Sequence, residues 1–153
     1  MITTDGYLYL VDRALDGMAA TLTELGDELV NARPEATGTN SPYAIVTHCL
    51  GVMTFWGGQV VAGRDVERDR EAEFTASGEV APLLARLREV REQFGADVAA
   101  SEPAAAPAGE VPPKYRGTPI GTAQGTALLH VYEELAQHRG HLDLTRDVLL
   151  GRV

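Results

Sequence analysis

Apolar residues recur at steps of three and four through four long stretches of the chain, and no stretch alternates convincingly at steps of two. That period puts side chains on one face of an α-helix, so the sequence commits to helices packed on helices rather than to a sheet. The first stretch runs from about Thr4 to Arg33, with Leu10, Ala14, Met18, Leu22, Leu25 and Leu29 on one stripe, and Pro34 ends it. The second opens at Ser41-Pro42, a side-chain N-cap followed by proline at the first helical position, and runs to about Ala62. Ile45, His48, Val52 and Phe55 share its stripe, with Trp56 beside it. The third spans about Glu79 to Ser101 through Val80, Leu84, Leu87, Val90, Phe94 and Val98. The fourth spans about Thr122 to Leu150 through Leu128, Val131, Leu135, Leu142 and Leu149. The expected fold is all-α, a four-helix bundle in a single domain over residues 1–153. The turn Glu35–Asn40 is short, which predicts that the first two helices are antiparallel neighbours.

The connections carry their own signals. Gly51, Gly57 and Gly58 each weaken the second helix by about 1 kcal/mol relative to alanine, which points to close approach of a neighbour or ligand. Residues Gly63 to Ser77 are dense in both signs of charge. They read as a solvated loop, or as one folded over an end of the bundle by ion pairs of Arg68 and Arg70. Residues Glu102 to Gly121 contain Pro103, Pro107, Pro112, Pro113 and Pro119 and no apolar period. A connection of that length is either disordered or functional, and Tyr115-Arg116 is its best candidate for touching a ligand.

Charge narrows the partners. The net charge of −9 argues against nucleic acid and against an anionic membrane surface. The first residues have no basic region before an apolar run, so no signal peptide is expected, and no apolar run is expected to reach the roughly 20 residues of a membrane span. One cysteine, Cys49, excludes an internal disulfide and fits a cytoplasmic protein. Its neighbour His48 points about 100° away around a helix, so a buried thiol is a better reading than a Cys–His catalytic pair.

Three of the four histidines lie on the last helix, and His138 occupies a rung of its apolar stripe, as does Thr145. A polar group on a buried stripe requires a partner. His130, Glu134 and His138 form an i, i+4 ladder, in which neighbours are about 6 Å apart along the axis and the two histidines about 12 Å. A single ion could therefore use His130 with Glu134 or Glu134 with His138, and the stripe favours the second pair. A third ligand must come from another helix, where His48 is the remaining histidine. Two histidines and one carboxylate around a divalent ion leave an open position, as catalytic sites do. Zn²⁺ suits the set, and Ni²⁺, Mn²⁺ or Fe²⁺ could use the same ligands. The plain alternative is a hydrogen-bonded core histidine with a helical Glu–His pair on the surface. Trp56 reads as core or as a pocket wall.

His48, together with Glu134-x-x-x-His138-Arg-Gly-His141-Leu-Asp, resembles the DinB-like (YfiT-like) metalloenzyme superfamily. The Asn40-Ser-Pro-Tyr start, the Trp56-Gly-Gly stretch and the Arg68-Asp-Arg-x-Ala-Glu-Phe74 loop extend the resemblance over nearly the whole chain. Many members use three histidines, whereas Glu134 stands in the middle position here. That matches the actinobacterial branch of mycothiol-dependent maleylpyruvate isomerase and related mycothiol S-transferases. The isomerase carries a further domain, so its reaction is not carried over. The resemblance implies metal binding by His48, Glu134 and His138, with His130 or His141 orienting Glu134 or carrying a proton. It also implies a homodimer, mycothiol as co-substrate and an electrophilic second substrate such as an epoxide, alkyl halide or activated alkene. Trp56, Arg68, Tyr115 and Arg116 are the expected pocket lining. The thiol would take the open metal position, where a cation favours thiolate over thiol, and no side chain need act as nucleophile. Two other readings share the site: a hydrolase or isomerase with activated water as the reactive group, and a non-catalytic, metal-binding stress protein.

Overall fold

A computed structural model describes residues 2–35 and 37–153; Met1, and Ala36 within the expected turn, lie outside the described residues. The described residues are all-α with no strand: α1 (Thr4–Leu29), α2 (Pro42–Met53), α3 (Arg70–Thr75), α4 (Val80–Ala99) and α5 (Gln124–Leu149). Residues Thr54–Val61 prolong α2 as a π-helical segment, and Pro113–Tyr115 and Pro119–Gly121 form short 3₁₀ turns.

The helix starts follow the sequence. Thr3 caps α1 by accepting the Gly6 N–H at 3.1 Å, and Ser41 caps α2 by accepting the Ala44 N–H at 3.2 Å. The end of α1 does not. Gly26 takes φ 61°, ψ −176°, a left-handed excursion that glycine accommodates, so the helix stops near Leu29 and not at Arg33. The chain then passes through fully buried Val30, whose carbonyl accepts the Tyr43 N–H at 2.9 Å.

The neighbours differ from the expected ones. α1 packs mainly on α5 and α4 and touches α2 only slightly, while α2 packs on α5, α4 and α3. α1 and α2 therefore sit diagonally, each flanked by α4 and α5, joined by a connection anchored at its ends by buried Val30 and Ser41. α2 is buried on all sides from Ala44 to Met53, as an apolar helix at the centre of a fold must be. The helical run Pro42–Val61 is long and apolar enough to cross a membrane, contrary to the sequence expectation, but 83% of the most apolar window is buried inside the fold.

On α4 the sequence stripe holds at Leu87, Phe94 and Val98 and differs in the first turns, where Leu83, not Leu84, is the fully buried leucine. Buried Asp97 on the same face pairs with Arg64 at 2.6 Å. An added Cβ at Gly57 would stand 2.5 Å from the Phe94 ring, which explains the glycine there by close packing. The proline-rich segment is pinned down. Gly109 donates to the Val60 carbonyl at 3.1 Å, and buried Gln124 ties Glu102 and Ala106 to the start of α5. A side chain at Gly109 would overlap the Gln59 carbonyl, so glycine is required for that approach.

Candidate metal centre

The site is assembled from α2, α3 and α5. His48 lies in the middle of α2 and is 3% exposed. The charged connection that follows the π segment folds back over it, nucleated by Asp69, whose carboxylate accepts the Ala72 N–H at 3.0 Å. The single turn and a half of α3 then delivers two side chains to His48. Phe74 stacks on the imidazole at 4.8 Å between ring centroids, and Glu73 Oε2 lies 2.8 Å from His48 Nδ1. Arg68 donates Nε to Glu73 Oε1 at 2.6 Å and Nη2 to Oε2 at 2.9 Å. Arg70 instead lies over the Phe74 ring at 5.2 Å. The expected ion pair of this loop forms for Arg68; Arg70 makes none among the described residues and lies on a ring instead, because the nearby Glu73 is turned to Arg68 and His48. Glycine at position 51 makes room, since a Cβ there would overlap Glu73 Oε1.

Electrostatics fix the state of these groups. Burial opposes ionisation of Glu73, but hydrogen bonds from His48 and Arg68 outweigh it and hold its pKa below the ordinary carboxylate value. An ionised Glu73 against Nδ1 selects the His48 tautomer with its proton on Nδ1. The lone pair of Nε2 then faces the interior of the site, the outer carboxylate arrangement that orients a metal-binding histidine.

From α5, Glu134 Oε2 approaches His48 Nε2 at 3.3 Å and His138 Nε2 at 3.5 Å. Hydrogen bonds from His138 and then His48 hold the Glu134 carboxyl far below its usual pKa, so it is an anion. One ligand atom from each of His48, Glu134 and His138 lies within 4.8 Å of the others. Ligand bonds of about 2.0–2.1 Å at tetrahedral angles give ligand–ligand edges of about 3.3–3.4 Å. The two edges at Glu134 match that spacing. A lone pair on His48 Nε2 facing an anionic oxygen is repulsive unless a proton or a cation lies between them, and the donor set suits a divalent cation. His138 lacks the outer support that His48 has: its Nδ1 is buried with no hydrogen-bond partner. Its ring is oriented by Glu134 and by edge contact with His48 at 4.8 Å.

The burial of the histidines on α5 reverses the sequence expectation. His130 is the buried one, its side chain 7% exposed, while His138 is half-buried at 23%. The reason is the proline-rich segment, which folds Tyr115 over the first half of α5. Trp56 and Tyr115 meet His130 at 4.8 Å and 5.2 Å between ring centroids, and the Tyr115 hydroxyl lies 3.3 Å from His130 Nε2. His130 Nε2 is also 3.7 Å from Glu134 Oε1. His141 lies beside His138, 6.1 Å between rings, and lines a separate groove with Leu144 and Thr145.

A cavity of about 260 Å³ opens over His48 and Glu134. Of the four residues expected at a pocket, Trp56, Arg68 and Tyr115 line it. Arg116 does not: its guanidinium turns outward to Glu110 at 2.7 Å and to the Val111 carbonyl at 3.1 Å. Its neighbour Lys114 and Arg70 occupy the rim instead, and Phe55 adds a wall. Phe55 and Trp56 are consecutive yet both reach the cavity, within the π-helical segment, a type of segment frequent at functional sites. Glu73 is the residue that sequence reasoning passed over. Its one signal was an acid shortly after Arg68 in the quoted loop. Cys49 is fully buried and its thiol pKa is raised by burial, so it offers no nucleophile.

The mycothiol-S-transferase family model matches residues 8–151. No curated protein and no solved structure matches the chain.

Proposed function

The chain belongs to the mycothiol-S-transferase family, and we propose that it transfers the sulfur of mycothiol or a similar small thiol to a small electrophile at a divalent cation held by His48, Glu134 and His138. One observation carries the assignment of those ligands: Glu134 Oε2 meets both His48 Nε2, at 3.3 Å, and His138 Nε2, at 3.5 Å, contacts that protons bridge in the metal-free protein and that one cation would bridge together. Zinc is the ion the tetrahedral spacing suits. When bound, the cation supplies Lewis acidity that favours thiolate over thiol near neutral pH. The chain's own residues do the rest. Arg68 and Glu73 fix His48. Trp56, Phe55 and Tyr115 wall the cavity against water. His130 Nε2, beside Glu134 and the Tyr115 hydroxyl, is the basic atom on the cavity wall that takes the thiol proton.

The same reading covers the setting. The diagonal placement of α1 and α2 between α4 and α5 is that of a four-helix bundle with α3 added over one end, in one domain over residues 1–153. The chain acts as a cytoplasmic homodimer on small molecules, and its net charge of −9 supports no role with nucleic acid or anionic membranes.

The test is adduct formation. Zinc-loaded protein is mixed with mycothiol and a chromogenic aryl halide, with and without chelator, for the wild type and His138→Ala. The expected result is an adduct that needs both the thiol and the metal and is lost in the variant. Adduct formation indifferent to chelator and to His138→Ala would overturn the metal-centred reaction. Turnover of electrophile without any thiol would move the assignment to a hydrolase.

A further inference from the structure

Lys114 is the only lysine in the chain, and it stands at the rim of the cavity over the candidate metal centre. Arg70 stands at the rim as well, on α3, a different segment. Most of the other cations in this acidic protein are neutralised: Arg64 by Asp97, Arg68 by Glu73, Arg91 by Asp12 and Asp16, and Arg116 by Glu110. Arg70 and Lys114 have no carboxylate within salt-bridge distance among the described residues. Each lies instead on an aromatic ring of the site: Arg70 over Phe74, which stacks on His48, and Lys114 over Tyr115 at 4.5 Å. A ring face orders a cation without cancelling its charge.

We infer that the electrophile taken by this site carries an anionic group, a carboxylate in the smallest case, which Arg70 and Lys114 bind at the rim while the reactive carbon points to the centre. This rests on the S-transferase reading of the same cavity. Two uncancelled positive charges on separate walls of a small, partly apolar cavity focus the field there, although the molecule as a whole is negative. Arg70 presents a planar fork that suits a carboxylate, and Lys114 adds a point charge. The cavity volume of about 260 Å³ limits the acceptor to a small molecule. For a haloacetate the balance is simple: the thiolate sulfur forms a bond to the methylene carbon, the carbon–halogen bond breaks, halide leaves with the bonding pair, and the thiol proton taken by His130 Nε2 passes on to the medium. The carboxylate takes no part in bond making and stays ionised.

The experiment compares chloroacetate with chloroacetamide, which are similar in size and differ in charge. Each is offered with mycothiol to zinc-loaded wild type and to the Arg70→Gln, Lys114→Gln double variant, with rates divided by the uncatalysed rate for that electrophile. The expected result is a rate enhancement at least about tenfold greater for chloroacetate in the wild type, reduced to near parity in the double variant and by added salt. Both side chains are exposed, so the melting temperature should hold. Equal enhancement of the two electrophiles by the wild type overturns the inference and leaves the transferase reading intact. A chloroacetate preference that survives in the double variant also overturns it, because the carboxylate would then be recognised by the metal alone. If neither electrophile is accelerated, the transferase reading fails, and calorimetry with unreactive propionate and propionamide decides the inference. Propionate binding to the zinc-loaded wild type that weakens about tenfold or more in the double variant supports it, and binding equal in both proteins, or none, overturns it.

Discussion

Removing the Glu73 carboxylate should damage the candidate metal centre without touching a proposed ligand. In the wild type Glu73 accepts from His48 Nδ1 at 2.8 Å and takes a forked pair of hydrogen bonds from Arg68. Glu73→Ala leaves the Arg68 guanidinium, on a side chain only 14% exposed, without a counter-charge. Breaking a buried pair costs about 3–5 kcal/mol, and the residual solvent contact of Arg68 puts this one near the lower end. At about 2–4 °C per kcal/mol for a chain of this size, the metal-free melting temperature should fall by roughly 6–12 °C. The loss of the group that orients His48 should weaken zinc binding by about 10–100-fold, or about 1.4–2.7 kcal/mol. Glu73→Gln separates the two effects. Its carbonyl can still accept from Nδ1, while its amide N–H groups face the Arg68 donors, so zinc affinity should drop by about tenfold and less than in Glu73→Ala. Competition against a chromophoric chelator reads the affinity, and scanning fluorimetry reads the stability. Folded Glu73→Ala protein that binds zinc within about twofold of the wild type would refute the claim that Glu73 acts on the centre through His48.

Further expectations use the same two assays. Gly51→Ala should mimic Glu73→Ala, because its Cβ displaces the carboxylate, with a stability loss of about 1–3 kcal/mol and a parallel drop in zinc affinity. Gly57→Ala overpacks Phe94, which makes no contact with the proposed ligands, so it should lose similar stability while zinc affinity stays unchanged; an equal drop in affinity would mean that overpacking alone disturbs the site. The pH dependence of the metal-free protein has a definite sign. Burial opposes a charge on His48, yet hydrogen bonds to Glu134 and Glu73 leave its pKa raised. A raised folded-state pKa gives stability that is complete below the unfolded value of about 6.5 and is lost as pH rises through the folded value. The metal-free melting temperature should therefore fall as pH rises above about 6.5, and the stabilisation by zinc should grow over the same range. A metal-free melting temperature that climbs across that range would contradict the cluster described.

What the sequence made legible was what a helix repeats. The stripes of α1 and α5 and the cap at Ser41 depend on residues within a turn or two, and they were readable for that reason. The ladder Glu134-x-x-x-His138 belongs to the same class. What failed depends on contacts between distant segments. The burial of His130 over His138 is set by Tyr115 and Trp56, on two other parts of the chain. The diagonal position of α1 and α2 follows from how each packs on α4 and α5, which no local pattern records. The i→i+5 hydrogen bonds of a π-helical segment require no distinctive residue types, so Thr54–Val61 read as ordinary helix. Glu73 looked like one charge among many in a polar loop, and only the folding of α3 onto His48 singles it out.

Glu134 and the rim cations belong to one electrostatic arrangement. With three neutral histidines a divalent ion keeps its full double charge, and an anionic substrate would be drawn to the ion itself. A carboxylate ligand reduces the charge of the centre to about +1 and weakens that pull. In the proposed reaction Arg70 and Lys114, which line the cavity, would act on the part of the electrophile that does not react. The carboxylate of the substrate would then be held away from the open position, leaving it to the thiol. Glu134→His tests the arrangement from the inside. It should keep the metal, since three histidines serve many relatives in the resembling superfamily. It should also let chloroacetate compete with the thiol, so that chloroacetate inhibits at high concentration where the wild type shows simple saturation. Saturation curves of the same form for both proteins would show that Glu134 is a ligand only and does not sort the two substrates.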